Sequence, residues 1–180
     1  MKYLRRLMWH IARQLLMILF ILSILIVVFY YAMNSANIYV LLKDGMARRA
    51  QVITMGDDAS ALLDYFSPAC IERDKILQDV SAGGSVYTNY YSVNGIDHRL
   101  SLVSVWCWPW EDIARAVFVE DIPGIDGKLL SYRRQEASQA GLDSLPPAWQ
   151  KIRYSAVLTR ETGRWMIRSL TAEKVLSRDE

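Results

Sequence analysis

Nineteen consecutive residues, Leu15 to Met33 (LLMILFILSILIVVFYYAM), carry no charge and a single small polar side chain, Ser23. Coiled as a helix with a rise of about 1.5 Å per residue, this run spans about 28 Å, the depth of a bilayer's hydrocarbon core. Lys2, Arg5, Arg6 and Arg13 precede it, and no acidic residue occurs before Asp44. An excess of Lys and Arg on one flank holds that flank in the cytoplasm. Residues 1–14 therefore read as a cytoplasmic basic tail, 15–33 as one transmembrane helix, and 34–180 as an extracytoplasmic domain of a single-pass cell (inner) membrane protein. Trp9 and the pair Tyr30 and Tyr31 sit about 32 Å apart along such a helix, where amphipathic rings favour the two interfaces.

A cleaved signal peptide would have a shorter apolar region followed by a small-x-small site. Ala32-Met33-Asn34 and Asn34-Ser35-Ala36 each lack one of the two small residues, so the helix is expected to stay as a signal-anchor. The span holds neither Gly-x-x-x-Gly nor an ionisable residue, which leaves no signature of tight helix pairing, ion conduction or proton relay.

The rest of the chain has to build its own core. Of 180 residues, 52% are hydrophobic, enough for one domain beside the anchor and too few for a multidomain enzyme. The net charge of +2 hides an asymmetry: with the four N-terminal cations set aside, 17 basic and 19 acidic residues remain. By charge, the external domain is not a nucleic-acid binder.

The polar residues Asn34 to Asn37 predict a break after the span. Ile38, Leu41, Leu42, Met46, Ala50 and Ile53 then recur on one helical face. Gly56 reads as the stop of that helix and Asp57 as the N-cap of a shorter one through Ala59, Leu62, Leu63 and Phe66, ended by Ser67-Pro68. From Ser85 the period changes. Val86 to Val93 predicts a strand, Asn94-Gly95 a hairpin turn, and Arg99 to Trp108 and Ala114 to Val119 two further strands. Residues 121–149 read as a long excursion with a short helix near Ser131 to Ala140. The alternation around Tyr154, Ala156 and Leu158, the turn at Thr162-Gly163 and the run Trp165 to Leu170 predict a closing hairpin with Trp165 in the core.

Helices first and a mainly antiparallel sheet afterwards describe an α+β domain. The stretch RRAQVITMGDDASALLDYFSP (48–68) resembles the opening of nuclear transport factor 2-like, cystatin-like cone domains, and IRYSAVLTRETGRWMIRSL (152–170) resembles their last two strands. The resemblance implies two helices packed on a bent sheet, and a cavity at the open end of the cone. A basic tail, one crossing and an external domain of this type are also similar in layout to the inner-membrane scaffold subunits of type IV secretion and conjugation systems.

No Walker-type loop, His-Glu-x-x-His, Gly-x-Ser-x-Gly or Cys-x-x-Cys is present, so no metal, cofactor or catalytic residue is expected. Some members of the cone family that resemble ketosteroid isomerase use an Asp base with Tyr or a second carboxyl. Asp64, Tyr65, Tyr90, Tyr91 and Tyr154 are the candidates to line such a cavity here, but no residue matches those motifs position by position. His98, the one imidazole of residues 34–180, stands beside Asp97; neighbours in a strand point to opposite faces, so a solvated histidine is expected rather than an acid-base pair.

Trp106-Cys107-Trp108-Pro109-Trp110, if extended, sets three indoles on one face and the thiol on the other. Large aromatics are mostly buried, which favours core or cavity lining over a partner-binding patch. Cys70 and Cys107 lie where a disulfide can persist, though their places, past the second helix and mid-sheet, favour two separate buried thiols. The expected role is non-enzymatic: self-association or binding of other envelope proteins, with the lipid bilayer as the constant partner. The alternative is a small-ligand-binding or isomerase-like domain using the cone.

Overall fold

A computed structural model of the chain describes residues 2–177. Residues 178–180 of the expected external domain, and the side chains of Lys2 and Arg5 in the basic flank, lie outside the described residues. Helix α1 runs without interruption over Lys2–Met55, 54 residues or about 81 Å. It is long and apolar enough near its start to cross a membrane, and the side chains of that stretch are not covered by the rest of the protein.

The break expected at Asn34 to Asn37 is absent. Isolated Asn and Ser cost a helix only about 0.5–0.7 kcal/mol each, and here both are served in place. Arg160 Nη2 donates to Asn34 Oδ1 at 3.0 Å, and Ser35 Oγ donates to Tyr31 O at 2.8 Å. Burial begins at this point: Asn34, Ile38, Leu42, Met46, Ala50 and Ile53 are all within 5% of complete burial. One helix thus supplies both the exposed apolar span and the backbone of the domain's core. Gly56, at φ +73°, ends it in the left-handed conformation, with its N–H on Val52 O.

Asp58, not Asp57, caps the next segment, accepting from Ser60 N, and that segment is a 3-10 turn, Ala59–Asp64. Asp57 instead accepts from Arg48 at 2.9 Å. Ser67-Pro68 opens a helix where it was expected to close one: α2 is Pro68–Arg73 and α3 is Lys75–Ser81. Proline at the first helical position has no N–H to lose, so the same dipeptide fits a start as well as a stop.

The strand expected from Val86 begins as a short helix, α4 (Val86–Tyr90), because Ser85 caps it and also donates to Ile53 O at the end of α1. Strand β1 is Tyr91–Ile96. Asn94-Gly95 is a bulge within it rather than a hairpin turn, since β1 pairs with β4 (Ile125–Leu129) in a separate two-stranded sheet. A 3-10 turn and α5 (Arg134–Gln139) occupy the long excursion.

The main sheet is antiparallel, in the order β2 (Arg99–Trp106), β3 (Ile113–Asp121), β5 (Lys151–Glu161), β6 (Arg164–Leu176). Its inner face carries Ala114, Ala116, Phe118, Ala156, Leu158 and Ile167, all at most 1% exposed. Each of the larger side chains removed from water contributes roughly 1.5–3 kcal/mol. The alternate residues Arg115, Val117, Val119, Ser155 and Val157 point the other way and stay in contact with solvent. The closing hairpin turns through Thr162 (φ +49°) and Gly163 (φ +84°), a two-residue turn that fits the strands' twist. Trp165 is 8% exposed, within the core as expected. Cys70 and Cys107 are buried and unpaired.

Candidate functional site

The structure brings the sequence's candidates to two places and leaves others in structural seams. Tyr65 packs on α1 where Gly45 leaves room for it: a Cβ on Gly45 would sit 3.0 Å from that of Tyr65. Its carbonyl accepts from Ile167 N. Tyr91, 3% exposed, donates to Asp143 O at 2.8 Å and holds the 121–149 excursion against β1. Tyr154 belongs to the helix-sheet seam instead. These tyrosines do not line one common cavity.

The first place is a line of buried polar groups between α1 and the sheet. Asp74 grips Arg49 through two hydrogen bonds, Nε to Oδ2 at 2.6 Å and Nη2 to Oδ1 at 3.2 Å, and also caps α3 by accepting from Ile76 N and Leu77 N. The Arg49 side chain is 3% exposed, and among the described residues its Nη1 lies within hydrogen-bond geometry of no acceptor. Burial acts to lower the basicity of this guanidinium, but the hydrogen bond to Asp74 and its charge outweigh it and hold the group above an ordinary arginine.

Next along the line is Tyr154, stacked on Phe118 with ring centres 5.7 Å apart. Burial pushes its phenol up to about 12; Arg49 pulls it back in part, and the charges of Glu120 and Asp74 push it further. Glu120 follows on the same sheet face, fully buried, with Oε1 3.2 Å from His98 Nε2.

His98 is therefore not the solvated residue expected from its position between strands: its side chain is 6% exposed. Asp97, its neighbour, turns outward and accepts from Arg99 at 2.6 Å. The two do point to opposite faces, but β3 offers the histidine a buried carboxylate. The inward alternation Ala116, Phe118, Glu120 was the available signal for that partner. A carboxylate and an imidazole in contact can exchange a proton.

A groove of about 510 Å³ opens where this line meets the surface, with Arg49, Cys70, Asp74, Tyr154 and Arg168 in its wall and Arg73 and Lys75 at its rim. His98 and Glu120 are not among its lining residues. Burial, and then the charge of Asp74, raise the Cys70 thiol and so disfavour its thiolate. Among the described residues, no three His, Cys, Asp or Glu side chains gather as a metal site needs.

No family model, curated protein or solved structure matches this chain.

The second place is the tryptophan run. Strand β2 ends at Trp106, so the run forms the β2–β3 corner rather than an extended strand. The indoles still associate: Trp106 meets Trp108 edge-on at 5.4 Å, and Trp108 stacks on Trp110 at 5.1 Å. Cys107 turns inward and is fully buried, 3.4 Å from Ser35 Oγ. The core placement expected of these rings does not hold, because Trp106 is 58% exposed and Trp110 68%. Cys107 and Tyr31 already fill the contact with α1.

Titration of Tyr154 has a measurable consequence. The unfolded chain gives up this proton near pH 10 and the folded chain near 12, so the folded state holds more protons in between. Stability is then complete below pH 10 and falls above it, by up to about 1.4 kcal/mol per pH unit. Urea unfolding between pH 9 and 12 should show a steeper alkaline decline for the wild type than for Tyr154→Phe. Parallel curves would contradict the assignment. Tyr87 and Tyr91, raised in the same sense by burial, keep the variant's curve from being flat.

Proposed function

We propose that this chain is a single-pass membrane protein with its basic end in the cytoplasm and a nuclear transport factor 2-like domain outside. The domain works by binding neighbouring envelope proteins or copies of itself, not by catalysis, in the manner of a scaffold subunit of a secretion- or conjugation-type assembly. The observation that carries this reading is the continuity of α1, which passes from the apolar span into the core with no hinge between them. A domain so joined holds a fixed pose above the bilayer, and tethering raises the effective concentration of neighbours, so contacts too weak to survive dilution still form. The solvent-facing side of the main sheet, around Val117, Val119 and Ser155, is the surface such contacts would use.

The test is photocrosslinking in native membranes, with a benzophenone amino acid at Val117 or Ser155 of the full-length protein. Adducts of discrete mass are expected at both positions. His98→Gln should leave those adducts and cellular activity intact; glutamine keeps an N–H for the buried Glu120 but cannot relay a proton. Loss of activity by about 10² to 10⁴-fold in a folded His98→Gln protein would favour acid-base catalysis instead.

A second reading, a small-ligand domain, draws on the groove at Arg49. The cations Arg73, Lys75 and Arg168, against the single carboxylate of Asp74 among its lining residues, suit a small anion such as a carboxylate or phosphate.

A further inference from the structure

We infer that the Trp106–Trp110 corner is a lipid-docking surface that seats the external domain on the outer leaflet of the bilayer crossed by α1. The inference rests on the membrane reading of α1 and adds a second point of contact to it.

The corner is fixed in height by its contacts with α1. Tyr31 donates to Val105 O at 2.9 Å, its ring meets Trp108 edge-on at 6.5 Å, and Cys107 lies against Ser35. All three contacts fall on helix residues 31–35, and the continuous apolar run ends at Met33, ahead of the polar Asn34 and Ser35. The indoles are therefore held within about one helical turn, roughly 5 Å, of the hydrocarbon edge. At the same end of the sheet, Arg160 of β5 reaches Asn34, so both hairpin turns face this level.

The chemistry of the exposed groups fits that depth. Trp106 and Trp110 present more than half their surface, and Ile113, at the start of β3, is 52% exposed. Indole rings with an N–H at one edge concentrate where acyl chains meet head groups. Glu111 and Asp112, the acids of the corner, are themselves exposed and can remain in the aqueous head-group layer. A protein partner would have to reach these rings within the plane of the membrane surface, whereas the bilayer is already there. Continuity with the span is what selects lipid as the occupant.

The test uses the full-length protein in phosphatidylcholine nanodiscs, labelled with 5-fluorotryptophan and assigned by single Trp→Phe variants. A lipid carrying a nitroxide at the 5-position of its acyl chain should broaden the Trp106 and Trp110 fluorine signals strongly. It should leave that of the core residue Trp149, which packs on Tyr87 of α4 near the C-terminal end of α1, sharp. A water-soluble gadolinium chelate should broaden Trp106 and Trp110 only weakly. Signals broadened by gadolinium and untouched by the nitroxide lipid would overturn the proposal. Shielding from both agents would overturn it too and indicate a second protein copy. Alkaline carbonate washing of native membranes tests the span separately: if the protein is released, the membrane reading fails, and if it is retained while the nitroxide lipid has no effect, only the docking surface falls.

Discussion

Replacing Asp74 by alanine is expected to destabilise the folded α+β domain by about 3–5 kcal/mol, the usual penalty for removing one partner of a buried ion pair. Arg49 sits 3% exposed in the last two turns of α1, so the variant would hold a largely buried guanidinium with no counter-ion. Asp74 also caps α3, and losing that acceptor adds to the cost. Asp74→Asn keeps a capping oxygen and should fall between the two. Urea unfolding of the full-length protein in micelles, followed by indole emission, reads the difference. A change below about 1 kcal/mol would mean that Arg49 finds another partner or is hydrated in place.

Trp165→Ala is expected to cost about as much, roughly 3–5 kcal/mol, which is a large share of the total stability of an ordinary domain. The ring is 8% exposed, and the Arg160 guanidinium lies 4.6 Å above its centre. The same arginine donates to Asn34 of α1, so removing the indole loosens the joint between the sheet and the helix next to the apolar span as well as opening a cavity. Trp165→Phe, which keeps a ring beneath the cation, should recover part of the loss. An unchanged melting temperature for Trp165→Ala would place the ring outside the core and contradict the packing of the closing hairpin.

The elements that periodicity specifies were legible in the sequence: the apolar span, the face Ile38 to Ile53, the stop at Gly56 and the hairpin around Thr162-Gly163. What escaped depended on partners far away in the chain. Asn34 and Ser35 read as a helix break because their sequence neighbours offer no reason to be helical; Arg160, 126 residues later, supplies it. Ser85 turned an apparent strand into a helix by capping it, and Asn94-Gly95 became a bulge because β4, not β2, pairs with β1. The candidate sites divide in the same way. That the indoles and Cys107 part company follows from local geometry, whereas their exposure depends on α1 occupying the inner side. His98 could not be matched to Glu120 without the register that sets Arg99 opposite Asp121 and Leu100 opposite Glu120.

The central claim is that one rigid helix serves as both membrane anchor and domain core. A pulsed electron-electron distance between nitroxides at Phe20 and Lys43, both exposed on α1, tests it most directly. The measurement would be made in nanodiscs, with Cys70 and Cys107 replaced by alanine. The 23 residue steps from one label to the other correspond to about 35 Å of unbroken helix, and a single narrow distribution near that value is expected. A broad distribution shifted to shorter distances would mean a hinge at Asn34 to Asn37, and the domain would then hang from the membrane instead of being held against it.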